Sequence, residues 1–317
     1  MKKTVVLALG GNALTLPGQA GTYEELQANA MAMAGAVRDL LEAGYGLVIV
    51  HGNGPQIGNL AYQQEEGAAK VPPLPLCSLD AMTQGQIGSL LVLAIRNVLG
   101  TSVDPVAIVT HVLVDPQDAA FASPSKPIGP FLEPHGARRL AAARGWSVMD
   151  DAGRGVRRSV PSPEPRGILE LGAIRALVAR GCLVIACGGG GVPVADREGR
   201  YAGVDAVIDK DLAAQRLASD IGAHALAMVT GVSHVSAHWG TARARAIEEM
   251  SLSEAQTLAD EGHFPAGSMG PKVAAALRFV RNGGNLAVIT SPEHVRDAVM
   301  GKHGTRIARV IKGAAVA

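Results

Sequence analysis

Apolar residues along this chain fall into two patterns. Short unbroken runs rich in Val, Ile and Leu alternate with longer segments in which apolar positions recur every three or four residues. The first pattern suits strands buried on both faces, and the second suits helices that cover them. Their alternation predicts an α/β fold, with a largely parallel sheet sandwiched between helical layers. Val5–Leu9, Leu47–Val50, Val106–Val109, Leu183–Ala186, Ala225–Val229 and Leu286–Ile289 read as strands. Thr22 with Glu25 has the spacing of a capping box, after which Leu26, Ala30, Met33, Val37 and Leu41 mark one helix face that ends at Gly44. Gln84–Val98 and Ile168–Ala179 read as further helices.

Several strands run directly into glycine-rich turns: Gly10-Gly11-Asn12, Gly52-Asn53-Gly54 and Gly188–Gly191. In open parallel sheets the carboxyl ends of strands carry the ligand site. Glycine there lets backbone N–H groups approach an anion without interference from a Cβ. None of the three turns fits GxGxxG or GxxxxGK[ST], so the chain is neither an ordinary dinucleotide-binding dehydrogenase nor a P-loop NTPase. Three such turns together point to a polyphosphate or oxyanion site.

The pattern breaks between residues 115 and 166. Eight prolines punctuate this stretch, which is too long for a plain loop in a compact domain. It reads as a protruding Pro/Gly-rich subdomain or lid within one domain spanning 1–317.

Composition narrows the function. The net charge is +1, with both signs interspersed, so no basic stripe argues for nucleic acid or a membrane surface. No apolar run approaches the roughly 20 residues that span a bilayer. The apolar run after Lys2-Lys3 is too short for a signal peptide and reads as the first strand. The three cysteines, Cys77, Cys182 and Cys187, lack CxxC spacing and fit a reduced, cytoplasmic compartment.

Of the 29 basic residues only eight are Lys, and three of these sit in special surroundings. Lys210 follows Asp209, a plausible N-cap, in a helix reaching about Ala218. Lys272 follows Pro271, a residue suited to a first helical position, in a helix that ends at Gly283-Gly284. A cation in a first helical turn is disfavoured by roughly 0.3–1 kcal/mol, unless an anion shares the spot. Lys126 lies in the stiff frame Pro124-Ser125-Lys126-Pro127. A compact ammonium on a long stem suits a moving phosphoryl group. Cys187 reads as a buried small hydrophobe, Asp209 mainly as a cap, and His234 and His238 as surface residues. His51 reads either as an acid-site contact or as a turn hydrogen bond.

Taken together, Val6–Ala13, His51–Gln56, Lys126–Phe131, Val160–Pro163, Ala186–Pro193, Ala206–Asp211 and Pro265–Lys272 resemble carbamate kinases over essentially the whole chain. The resemblance implies the amino-acid-kinase fold, a three-layer αβα sandwich with a protruding subdomain, usually as a homodimer. It implies that carbamoyl phosphate plus ADP is interconverted with ATP plus carbamate, with Mg²⁺ held mainly by the phosphates and no dedicated metal ligands. Lys126, Lys210 and Lys272 would bridge the transferring group, and Asp211 would orient them. Gly10, Gly11, Asn12, Gly52, Asn53, Gly54, Gly189 and Gly190 would bind the acid and phosphate. Lys210, Thr230, Gly231, Val232, Ser268, Met269 and Lys272 would bind the nucleotide.

Three places depart from the family pattern. Pro75-Leu76-Cys77-Ser78-Leu79-Asp80 stands where Pro-Leu-Asp precedes the turn, Thr110-His111 replaces Thr-Gln, and Thr230-Gly231 replaces Thr-Asp. One alternative is a related kinase for glutamate or N-acetylglutamate. Such motifs often place Lys before the first Gly-Gly, where this chain has Leu7-Ala8-Leu9. The other is a non-catalytic nucleotide-binding relative, against which the intact lysines and Asp211 count.

Overall fold

The computed structural model describes residues 2–10, 14–16, 18–151, 155–265 and 267–309. Its main sheet has eight strands, in the order Glu249–Ser251, Thr305–Ala308, Leu286–Thr290, Ala225–Val229, Thr4–Leu9, Gly46–His51, Leu183–Ile185 and Pro105–Ala107. Every neighbouring pair but one is parallel; Leu286–Thr290 and Thr305–Ala308 run antiparallel. The helices are α1 (Tyr23–Glu42), α2 (Gly54–Gly67), α3 (Leu76–Leu99), α4 (Pro134–Arg144), α5 (Leu171–Ala179), α6 (Lys210–Asp220), α7 (Leu252–Asp260), α8 (Met269–Arg281) and α9 (Val295–Val299).

The period of two along each strand divides the core into two layers. Val5, Leu7 and Leu9 face one way with Ile49, Ala227 and Val288, and pack on α1, α3 and α9. Val6 and Ala8 face the other way with Val50, Met228 and Ile289, and pack on α5, α6, α7 and α8. Both faces are covered, which is why the strands read as unbroken apolar runs. The capping box of α1 is present, with Thr22 accepting from the Glu25 N–H and the Glu25 carboxylate accepting from the Thr22 N–H.

Two helices differ from the sequence expectation. α3 begins at Leu76, eight residues before Gln84. Its first turns contain Cys77, Ser78, Asp80 and Gly85, residue types that usually weaken a helix. Gly88 lies so close to the sheet that a Cβ there would stand 2.8 Å from the Ala107 Cβ. α5 starts at Leu171, because Gly167–Ile168 pair instead with His111–Leu113 at the edge of a second, four-stranded sheet.

Within the proline-rich stretch, Lys126–Leu132, Ser147–Asp150 and Val156–Val160 form a three-stranded antiparallel sheet, with α4 between its outer strands in sequence. It docks on α2 through a small cluster that includes Ile57, Ala61, Leu79, Ile128 and Val160. The contact is backbone on backbone: a Cβ on Gly58 would lie 1.9 Å from the Gly129 nitrogen. At one end Glu65 joins this sheet to α2 by pairing with Arg144 and Arg158, both at 2.9 Å. Among the described residues no helix is long and apolar enough to cross a membrane.

Candidate active site

Parallel register brings the ends of four strands level. Leu9 pairs with both His51 and Val229, and Val229 pairs with Thr290. The next residues, Gly10, Gly52, Thr230 and Ser291, therefore share one edge, and all four line a cleft of about 950 Å³. The first turns of α2, α6 and α8 contribute Gly54, Lys210, Asp211 and Lys272 to the same cleft, and the small sheet contributes Lys126 and Arg157. Three lysines separated widely in sequence thus meet.

Their charges are paired by two carboxylates. The Asp211 carboxylate accepts from Lys210 Nζ at 2.6 Å on one oxygen and from Lys272 Nζ at 2.9 Å on the other. Burial alone would raise the Asp211 carboxyl, but the two ammonium groups override it and hold the group well below the usual carboxylate range. Burial lowers Lys210 to about 8, with Asp211 opposing the shift and Lys272 adding to it. Lys272 is also buried, yet Asp211 more than compensates and raises it.

Lys126 donates to Asp209. Asp209 also accepts from the Asp211 N–H at 2.9 Å, so it caps α6 as the sequence indicates and holds a cation as well. Burial acts to raise Asp209, and the Lys126 charge brings it below the usual range.

The glycines divide into two groups. The Gly10 N–H donates to the Val229 carbonyl at 3.1 Å, and the Gly52 N–H to the Leu9 carbonyl at 3.0 Å, so these two N–H groups are committed to the sheet. Gly54 opens α2, whose N-terminus has no side-chain cap. Gly189 lines the cleft. Gly190 lies behind it, its N–H donated to Cys187 at 3.0 Å. Close packing accounts for this run, since Cβ atoms at Gly188, Gly189 and Gly190 would fall 2.3, 2.2 and 2.3 Å from His51, Asn53 and the Ile208 carbonyl. Gly11 and Asn12 lie outside the described residues.

Thr230, Gly231 and Ser268 line the other end of the cleft. Val232 follows Gly231 without joining the lining, and Met269 turns toward the core. His51 is buried and donates from Nδ1 to the Gly52 carbonyl at 3.1 Å, which decides for the turn hydrogen bond. Burial lowers its ring to about 4, so it is neutral. Burial also pushes the Cys187 thiol up, as befits a packing residue. His234 and His238 lie before and after Val235–Ala237 and pack on different partners, His303 and His263.

Three site features had no role assigned from the sequence. Arg157, whose guanidinium donates to Asp151 and to the Gly129 carbonyl, both at 2.9 Å, lines the Lys126 end of the cleft. Its neighbour Arg158 turns to Glu65, so only the period of two along Val156–Val160 separates the roles. Gln84 bonds both the N–H and the carbonyl of Thr110, bracing the strand end from α3. Asp80 and Thr83 lie directly behind Asn53. Of the departures, Cys77 faces Gly203, His111 is tied to Glu170, and neither lines the cleft.

The family model described as "Amino acid kinase family" matches residues 3–291. A carbamate kinase of Pyrococcus horikoshii is 45% identical over 312 residues, covering 97% of this chain and 99% of that protein. Giardia lamblia carbamate kinase bound to citric acid superposes with a TM-score of 0.93 at 42% identity, covering 97% of this chain and 98% of that one. The same enzyme bound to AMP-PNP gives 0.88 at 41% identity, with the same coverage. The chain belongs to the amino acid kinase family and, within it, to the carbamate kinases.

Proposed function

We propose that this kinase interconverts carbamoyl phosphate plus ADP with carbamate plus ATP in the cleft at the strand ends. The observation that carries the reading is Asp211 bridging Lys210 and Lys272 at two helix starts, opposite Lys126. Phosphoryl transfer requires little covalent work from the protein, so catalysis is positioning plus neutralisation of charge on the transferring group. Carbamate is already an anion. Its oxygen forms the bond to the γ-phosphorus as the bond to the ADP oxygen breaks, and no general base is needed.

In this reading Lys126, Lys210 and Lys272 surround the phosphoryl oxygens, and Asp211 fixes the spacing of two of them. The acid lies toward Asn53, Gly54 and Arg157. The uncapped start of α2 favours an anion there. The nucleotide extends past Thr230 and Gly231 toward Val232, Ser268 and Met269. A Mg²⁺ would offset phosphate charge. Among the described residues no group of three or more His, Cys, Asp or Glu could hold a metal, and Asp209 and Asp211 are engaged by lysines, so the phosphates and water would carry it.

Residues 115–166 act as a protruding subdomain of the single domain 1–317, bringing Lys126 to the nucleotide. The enzyme works in the cytoplasm as a homodimer, a state for which the exposed Met82 and Leu93 of α3 offer apolar surface.

The test is ATP formation by the purified chain from ADP, Mg²⁺ and fresh carbamoyl phosphate. Saturable turnover is expected. Bound ADP without turnover would contradict the reading.

A further inference from the structure

We infer that Asp80 is a positioning residue: it fixes the Asn53 amide so that its carbonyl oxygen faces the acid end of the cleft and accepts a hydrogen bond from the amino group of the substrate. This inference rests on the carbamate reading above and names how that substrate would be told from an acid with a methyl group.

The number of donor hydrogens decides how the amide is turned. The Thr83 hydroxyl has one hydrogen, and it is committed to the Asp80 backbone carbonyl at 2.8 Å. The Thr83 oxygen can therefore only accept from Asn53, at 2.9 Å, so the atom facing it is the Asn53 Nδ2. The second hydrogen on that nitrogen goes to Asp80 Oδ1 at 2.6 Å. Both amide hydrogens are thus spent behind the cleft wall. Asn53 Oδ1 has no partner among the described residues, and it is the side-chain polar atom that Asn53, a lining residue, leaves for the cleft. The side chain cannot shift sideways either, because it lies against the bare Cα of Gly189.

Asp80 suits this task as a neutral acid. It is fully buried, and its second oxygen, Oδ2, has no hydrogen-bond partner. Burial pushes its carboxyl well above the usual range, against the smaller opposing effect of the Asn53 donor. An un-ionised carboxyl offers one acceptor oxygen to Asn53 and adds no negative charge behind an anion site.

Lys126 and Arg157 line the same cleft, and the Arg157 guanidinium stands 4.0 Å from where a Cβ on Gly54, the residue after Asn53, would lie. A small acid with an amino group would turn its oxygens to these cations and its N–H to Asn53 Oδ1. Acetate and acetyl phosphate carry a methyl group there, which leaves the oxygen without a donor.

The experiment compares kcat/KM for carbamoyl phosphate and for acetyl phosphate, with ADP, in the wild type, Asp80→Leu, Asp80→Asn and Thr83→Val. The ratio of the two donors is the readout, since general damage to the fold lowers both alike. Asp80→Leu should reduce the ratio about tenfold, the worth of one neutral hydrogen bond. Asp80→Asn, which still offers an oxygen to Asn53, should keep the ratio within about twofold of wild type, on the same hydrogen-bond scale. Thr83→Val removes the other acceptor and should reduce the ratio in the same direction, which keeps the test available if the leucine variant does not fold. An unchanged ratio in the leucine and valine variants would overturn the inference while leaving the carbamate reading intact. No turnover of carbamoyl phosphate by the wild type would overturn both.

Discussion

The two carboxylates of the cleft hold their lysines in different ways. Asp211 binds Lys210 and Lys272 from two helices whose apolar faces share one core layer, and all three side chains are nearly inaccessible. Asp209 binds Lys126, which arrives from a separate small sheet that meets the body through α2, and a quarter of the Lys126 side chain is exposed. The first arrangement fixes charge in place. The second joins two parts of the fold through a part-exposed ion pair, and in the proposed reaction a phosphate would take the place of Asp209 as the partner of Lys126. One is a buried pair of cations on a shared carboxylate, the other a part-exposed ion pair.

Breaking the first arrangement should have the largest effect. Asp211→Ala leaves two buried ammonium groups without their hydrogen-bonded counter-charge and should cost about 3–5 kcal/mol at neutral pH, read by denaturant unfolding, together with nearly all turnover. Gly58→Ala attacks the second arrangement at its dock. The new methyl group meets the Gly129 backbone, so the small sheet must shift, at a cost of about 1–3 kcal/mol. Turnover should fall through misplacement of Lys126, while ADP affinity, set by the body, stays near wild type.

The pH dependence sharpens the contrast. Lys210 is lowered from its ordinary 10.5 to about 8, so between those values the folded chain holds fewer protons than the unfolded chain. The contribution of this group to stability therefore rises with pH across that window, while the charge needed for transfer is lost. A pH profile of kcat/KM should descend with a midpoint near 8. In Lys210→Arg, which stays charged, the residual activity should lack that descent.

Asp209→Asn should have the smallest effect. Asn caps a helix as well as Asp, so stability should change by less than about 1 kcal/mol. With Lys126 released from its resting partner, sulfate or ADP should bind more tightly in a titration.

Much of this site could be read from the sequence where the determinants are local. The capping box of α1, the Asp209 cap, the apolar strands and the lysines beside Gly, Pro and Asp follow from neighbouring residues. What escaped depends on contacts between distant segments. α3 extends through weak helix formers because its buried face, Leu76, Leu79, Leu91 and Ile95, secures it. α2 was hidden behind Gly52-Asn53-Gly54-Pro55, whose glycines read as a phosphate turn. The glycine run at 188–191 read as an anion loop, and the close packing of its bare Cα atoms on His51, Asn53, Val112 and the Ile208 backbone could not be read from the sequence. Asp80 stood among the departures from the family pattern, and only the hydrogen bonds that α3 accepts from the Asn53 amide give it a role.

In the proposed reaction the Asp211-bridged pair neutralises the transferring phosphoryl group. Turnover of Lys272→Met at saturating ADP and carbamoyl phosphate, with the folded fraction and ADP affinity measured on the same sample, tests it most directly. Asp211 keeps Lys210 as a partner in this variant, so the fold should persist. kcat should fall by about 10²–10³, the usual effect of removing one preorganised donor to a transition state, while ADP binding weakens far less. A folded variant whose kcat stays within about threefold of wild type would rule this role out, because the lysine would then add nothing in the transition state beyond what it adds in the ground state.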